Sequence, residues 1–185
     1  MYMRLAQMTV AEYLDGEQDS PVRHEYLDGQ VFNMTGSSAE HNLIAGNIYS
    51  RLRSHLRGGT CRAFMSDMKA RIETMNTFYY PDVLVTCDSE DRERYFKSFP
   101  CLIIEVLSPG TETVDCREKL LAYQKLPSLR EYVLVAQDAV TIEVYRRDEQ
   151  GQWWLVRLGE KDTLHLETVG LTMTMSEVYE DVFPL

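Results

Sequence analysis

The sequence predicts an α/β fold in which a mixed β-sheet is flanked by helices, and three observations lead there. Cys101-Leu102-Ile103-Ile104-Glu105-Val106-Leu107 is a nearly unbroken apolar run, the mark of a strand covered on both faces at the middle of a sheet. Two segments, one opening at His41 and one at Asp115, carry helical patterns. The order of elements is hairpin, helix, three strands, helix, then more strands. That is neither plain alternation of strand and helix nor a run of strands alone, so it suits a mixed sheet.

Each element follows from local chemistry. Thr9 with Glu12 three residues later satisfies a capping box, which predicts a short opening helix over Met8 to Leu14, with Asp15 to Pro21 as a loop. Asp28-Gly29 between two strand-like runs, within Arg23 to Met34, predicts a tight hairpin. Leu43, Ile44, Ile48, Leu52 and Leu56 recur at helical spacing until Gly58-Gly59 stops them. Strands are expected near Met68 to Glu73 and over Tyr79 to Thr86, with Pro81 close to the start of the second, where a missing donor is tolerated. Charged Asp88 to Lys97 reads as a solvated excursion. After the Ser108-Pro109-Gly110 stop, Asp115 to Leu126 is helical, with Asp115 and Glu118 as a capping pair and Pro127 as terminator. Strands follow at Glu131 to Gln137, Thr141 to Arg147 and Trp153 to Leu158, then short strands and a helical turn from Ser176.

A chain of 185 residues with 44% apolar content can bury one continuous core, so residues 1–185 are expected to form a single domain. No segment approaches the roughly 20 apolar residues of a membrane span, and Met1 to Val10 lacks a signal-peptide pattern, so a cytoplasmic location is expected. Cys61, Cys87, Cys101 and Cys116 are spread singly, without zinc-ligand spacing; reduced, mostly buried thiols are expected. A net charge of -10 excludes a protein that grips nucleic acid electrostatically over its whole surface, so any such contact is local.

Glu105 carries the chemical argument. Burying an ionised carboxylate between Ile104 and Val106 costs several kcal/mol unless a cation or donor meets it. Strand alternation sets Ile103, Glu105 and Leu107 on one face, and Asp82, two positions before Leu84 on a strand that can lie beside it, can project from the same end of the sheet. Two such carboxylates make a hard oxygen site of the kind Mg²⁺ prefers, suited to phosphodiester hydrolysis. Lys119 and Tyr123 lie four apart on the following helix, hence on one face that packs back toward the acids.

Arg23-x-Glu25-Tyr26-Leu27-Asp28-Gly29, His41 opening a helix, Pro81-Asp82-Val83, Glu105-Val106-Leu107-Ser108-Pro109-x-Thr111, Lys119-x-x-x-Tyr123 and Glu131-Tyr132-Val133-Leu134-Val135 together resemble the Uma family of restriction endonucleases, within the PD-(D/E)XK superfamily. The resemblance spans nearly the whole chain. It implies a restriction-endonuclease-like core, Mg²⁺ or Mn²⁺ as cofactor, nucleic acid (DNA foremost) as substrate, and a homodimer. Carried over residue by residue, it implies Asp82 and Glu105 as metal ligands and catalytic groups, Lys119 and Glu25 as further catalytic groups, and His41 and Tyr123 in support. The superfamily places a lysine two residues after the second acid, whereas this chain has Leu107, and Lys119 takes that place in the family pattern.

Other readings of the same residues stand beside this one. Glu25 pairs with Arg23 on its hairpin, His41 only sits in a first helical turn, or Glu105 is a buried ion-pair partner of Lys119 or an arginine. Asp67-x-Lys69 imitates an acid-x-lysine motif on another strand. With Leu107 in place of lysine, the alternative is a catalytically inactive nuclease fold that binds nucleic acid or protein.

Overall fold

The computed structural model describes residues 7–34, 36–108 and 115–183. Helix α1 (Val10–Asp19) begins at the expected capping box, with Thr9 Oγ1 accepting from the Glu12 amide and Glu12 accepting from the Thr9 amide. It runs through the stretch expected as a loop from Asp15. The reason is tertiary: Glu17, 5% exposed, accepts a hydrogen bond from Tyr80 Oη at 2.7 Å and contacts His24 Nδ1 at 2.6 Å, which holds the helix together beyond Gly16.

Strands β1 (His24–Leu27) and β2 (Gln30–Asn33) form the hairpin, turning through Asp28 and Gly29 at φ 46° and 94°. Helix α2 (Ala39–His55) is capped by Ser38 and buries Ile44, Ala45, Ile48 and Leu52. Strands β3 (Arg62–Met65), β4 (Lys69–Ile72), β5 (Thr77–Tyr79), β6 (Val83–Thr86), β7 (Phe96–Lys97) and β8 (Pro100–Leu107) follow. Helix α3 (Asp115–Tyr123) leads to β9 (Glu131–Ala136), β10 (Ile142–Arg147), β11 (Trp153–Leu158), β12 (Thr163–Leu166), β13 (Leu171–Thr174) and a last turn, α4 (Met175–Val178). Pro109, Gly110 and the Asp115 side chain, on which the expected stop and the second capping pair depended, lie outside what is described.

Two main sheets result. One has the order β11-β10-β9-β8-β6-β3 and is mixed, because β8 and β9 run parallel while its other pairs are antiparallel. The other has the order β2-β1-β5-β4-β7. Strand β8 sits inside the six-stranded sheet. Its Leu102, Ile104 and Val106 join one core with Ile44, Ile48 and Leu52 of α2, and Ile103 joins a second core with Tyr123 of α3 and Ala70, Ile72 and Tyr79 of the five-stranded sheet. Apolar neighbours on both faces are why this strand has no polar alternation. The α/β expectation, a mixed sheet flanked by helices, is what the chain adopts.

Three further expectations need correction. Tyr79 to Thr86 is two strands in different sheets, because Pro81 offers no amide to a ladder and the chain crosses over there. Asp88 to Lys97 is not wholly solvated. Asp91 and Lys97 are buried and bind backbone: Asp91 accepts from the Ser98 and Phe99 amides, while Lys97 Nζ donates to the carbonyls of Asp91 and Glu93. Cys61 and Cys87 form a disulfide rather than free thiols. They flank the Arg62–Thr86 pair of β3 and β6, so antiparallel register brings together residues 26 apart in sequence. Cys101 keeps its thiol, 3.5 Å from Cys87 Sγ, and burial pushes its pKa up to about 11.

Candidate active site

Asp82 stands where the chain passes from the five-stranded to the six-stranded sheet. The pairing of Val83 with Ile104 sets it against the Glu105–Val106 end of β8. Its Oδ2 accepts a hydrogen bond from the Val106 amide at 2.7 Å and lies 3.2 Å from His41 Nε2, while its own carbonyl accepts from the Ser66 amide. Two separate segments therefore fix this carboxylate, and a third holds its backbone. Burial pulls the His41 pKa down, but the hydrogen bond and charge of Asp82, with Glu105 behind it, outweigh this and hold the imidazole above its ordinary value.

Glu105 is 7% exposed. Tyr123 Oη donates to its Oε1 at 3.0 Å, and Lys119 Nζ lies 3.8 Å from the same oxygen, as two residues one helical turn apart on α3 allow. Burial raises the Glu105 pKa to about 7, against the Lys119 charge that lowers it and with the Asp82 and Glu25 charges adding to the rise.

Glu25 arrives from the hairpin and forms an ion pair of 2.8 Å with Lys119 Nζ. Arg23 instead meets Asp67 at 3.2 Å on an exposed surface, which assigns the Asp67-x-Lys69 segment a partner of its own. The Lys119 ammonium also lies 5.3 Å from the centroid of the Tyr79 ring. Thus one lysine faces acids from both sheets, Glu25 on β1 and Glu105 on β8.

These groups share a cleft of about 500 Å³. Glu25, His41, Asp82, Glu105 and Lys119 all line it, and Tyr123 stands behind Glu105. Sequence reasoning missed three of its walls. Tyr79 carries no signal in the sequence beyond that of an ordinary strand residue. Ser38 caps α2 by accepting from the His41 amide and donates to Gln137 Oε1 at 3.2 Å; a serine three residues before His41 was a readable cap signal. Phe32 was readable too, because the Asp-Gly turn fixes the register that pairs it with Glu25.

The donor set is one of hard carboxylate oxygens, suited to Mg²⁺ or Mn²⁺ rather than to a soft metal. The contacts above fall on Asp82 Oδ2 and Glu105 Oε1, so Asp82 Oδ1 and Glu105 Oε2 take none of them. Among the described residues, no group of three or more His, Cys, Asp or Glu side chains is disposed to hold an ion unaided. Two carboxylates supplemented by water and a phosphate oxygen are the arrangement that Mg²⁺ commonly accepts.

Several known proteins are similar to this chain. The Uma2 family model, "Putative restriction endonuclease", matches residues 10–176. The uncharacterized protein slr1290 of Synechocystis sp. is 37% identical over 169 residues, 91% of this chain and 89% of that protein. A second uncharacterized protein of the same organism, sll1609, is 31% identical over 154 residues, 82% of this chain and 87% of its own length. Among solved structures, "a putative nuclease belonging to DUF820" from Anabaena variabilis superposes with a TM-score of 0.78 at 18% identity, covering 95% of this chain and 99% of that one. At that identity the likeness speaks for the fold.

Proposed function

The chain belongs to the Uma2 family, and from that premise we propose that it is a metal-dependent endonuclease hydrolysing phosphodiester bonds of DNA in the cleft between its two sheets. One observation carries this reading: Glu25, Asp82, Glu105 and Lys119, from four separate segments, converge in a single cleft. A fold gains nothing by gathering three buried or half-buried acids in one cleft that holds a single ammonium unless further positive charge is to be received there.

Asp82 and Glu105 are the residues to hold Mg²⁺ or Mn²⁺. The chemistry supplied with such an ion is neutralisation of charge building on the phosphate and acidification of bound water. The chain's own groups do the rest. The Val106 amide and His41 hold Asp82 in one orientation, and Tyr123 does the same for Glu105. Lys119, steadied by Glu25, donates to a non-bridging phosphate oxygen and so takes the part of the basic group absent at Leu107. The resemblance adds a homodimer, which sedimentation of the purified protein tests.

Purified protein is to be incubated with supercoiled plasmid, linear duplex, single-stranded DNA and RNA in Mg²⁺ or Mn²⁺. Cleavage of at least one substrate, lost in Asp82→Asn and in Glu105→Gln, is the expected result. No cleavage of any substrate with either ion, or undiminished cleavage by the double variant, refutes the proposal. Leu107 favours a second reading, a nuclease fold that binds without turnover. Calorimetric titration separates the two: Mn²⁺ binding that vanishes in Glu105→Gln counts against the second, and absence of any metal binding counts for it.

A further inference from the structure

Four acids, Glu25, Asp82, Glu105 and Glu118, line the cleft, whereas Lys119 is the one lysine or arginine among the described lining residues. With a chain charge of -10 behind it, such a cleft does not draw a polyanion in by phosphate attraction alone. Some other contact has to hold the substrate. The hairpin register supplies it: Phe32 is the direct cross-strand partner of Glu25, and the pleat sets Glu25, Leu27 and Phe32 on one face, all three bordering the cleft. Directly opposed side chains in an antiparallel pair have Cβ atoms roughly 5 Å apart, so Phe32 borders the cleft next to Glu25, the ion-pair partner of Lys119. Phe32 is 48% exposed, and every residue of β2 is exposed, so the ring belongs to no core. Leu27, on the same face, packs against the core that includes Tyr79 and Tyr123.

We propose that Phe32 is a stacking platform for a nucleobase, so that the cleft engages nucleic acid at a nucleotide unstacked from its neighbours, in a single strand or extruded from a duplex. This rests on the nuclease reading and adds its substrate class. Every base presents a π face, so the contact tolerates any sequence, and it needs no basic residue. A base inside an intact duplex stack has no face to offer. A paired substrate must therefore first give up stacking, which favours single strands, frayed ends and mismatches.

The test is binding, measured by fluorescence anisotropy in Ca²⁺ with four labelled probes: a twelve-nucleotide oligo-dT, its ribo-U counterpart, an abasic deoxy twelve-mer, and a blunt duplex of the same length. Wild type is expected to prefer a single strand over the duplex, and the dT and rU arms identify which sugar it takes. Phe32→Ala should weaken the preferred single strand by roughly tenfold or more and leave the abasic probe unchanged. Phe32→Trp should retain the affinity, with emission quenched by the oligonucleotide beyond what wild type shows. Circular dichroism checks that both variants fold. Wild-type affinity in Phe32→Ala, equal losses on the based and abasic probes, or no added quenching in Phe32→Trp overturns the platform while the nuclease reading stands. If wild type binds none of the probes and cuts no substrate, both fall together.

Discussion

Replacing Glu105 by glutamine should make the metal-free protein more stable at alkaline pH, and the size of the gain follows from the burial of this one group. Its pKa rises from 4.5 to about 7 in the fold, with burial the leading cause. Each pH unit between the two values is worth about 1.4 kcal/mol, so ionised Glu105 costs the folded state about 3 kcal/mol relative to the unfolded chain. Because the folded pKa is the higher one, this cost is absent below pH 4.5, grows as pH climbs, and is complete above pH 7. Glutamine keeps the acceptor for Tyr123 and carries no charge. In EDTA, urea denaturation should show Glu105→Gln ahead of wild type by about 3 kcal/mol at pH 8 and by about 1 kcal/mol at pH 5. Adding Mn²⁺ should then stabilise wild type, by an amount that grows with ion concentration, and leave the variant unmoved. A variant weaker than wild type at pH 8, or a difference that ignores pH, would mean that Lys119 neutralises Glu105 permanently and that no ion is wanted.

The remaining expectations concern the supports of the site and the frame around it. Tyr123→Phe removes the donor to Glu105 Oε1 and should lower stability by about 1–2 kcal/mol in urea, while weakening Mn²⁺ binding near pH 7 because the acid then holds its proton more firmly. Glu131 is a buried acid of another kind: it is 2% exposed and accepts from Arg146 Nε and from the amides of Glu167 and Thr168. Glu131→Ala should cost about 3–5 kcal/mol yet leave the calorimetric affinity for Mn²⁺ intact; a parallel loss of metal binding would contradict that division of labour. Cys61→Ser opens a link between residues 26 apart and should lower stability by about 3 kcal/mol, with the Cys61–Cys87 peptide pair recovered from non-reducing digests of wild type alone.

Where a residue's role was local, its sequence neighbourhood was enough to read it. The Thr9–Glu12 box, the Asp28-Gly29 turn and the apolar run around Glu105 each contain their own cause within a few residues, and each lies where expected. Glu105, Lys119 and Tyr123 were legible as a group because strand alternation and helical spacing decide which way side chains point. What failed depended on partners distant in the chain. Gly16 argues against a helix until Tyr80 and His24 hold Glu17 in place. Asp91 and Lys97 look like surface charges until the backbone groups they serve are known. The Cys61–Cys87 bond follows from the antiparallel pairing of β3 with β6, which no spacing rule encodes. Tyr79 to Thr86 has the composition of one strand, and only Pro81 hinted that two sheets share it.

That crossover at Pro81 has a mechanical consequence. Glu25 is anchored in one sheet, Glu105 in the other, and Lys119 spans the gap, so the constellation exists only while the two slabs keep their present offset. Sliding one slab past the other by the width of a single atom would uncouple the lysine from one of its acids.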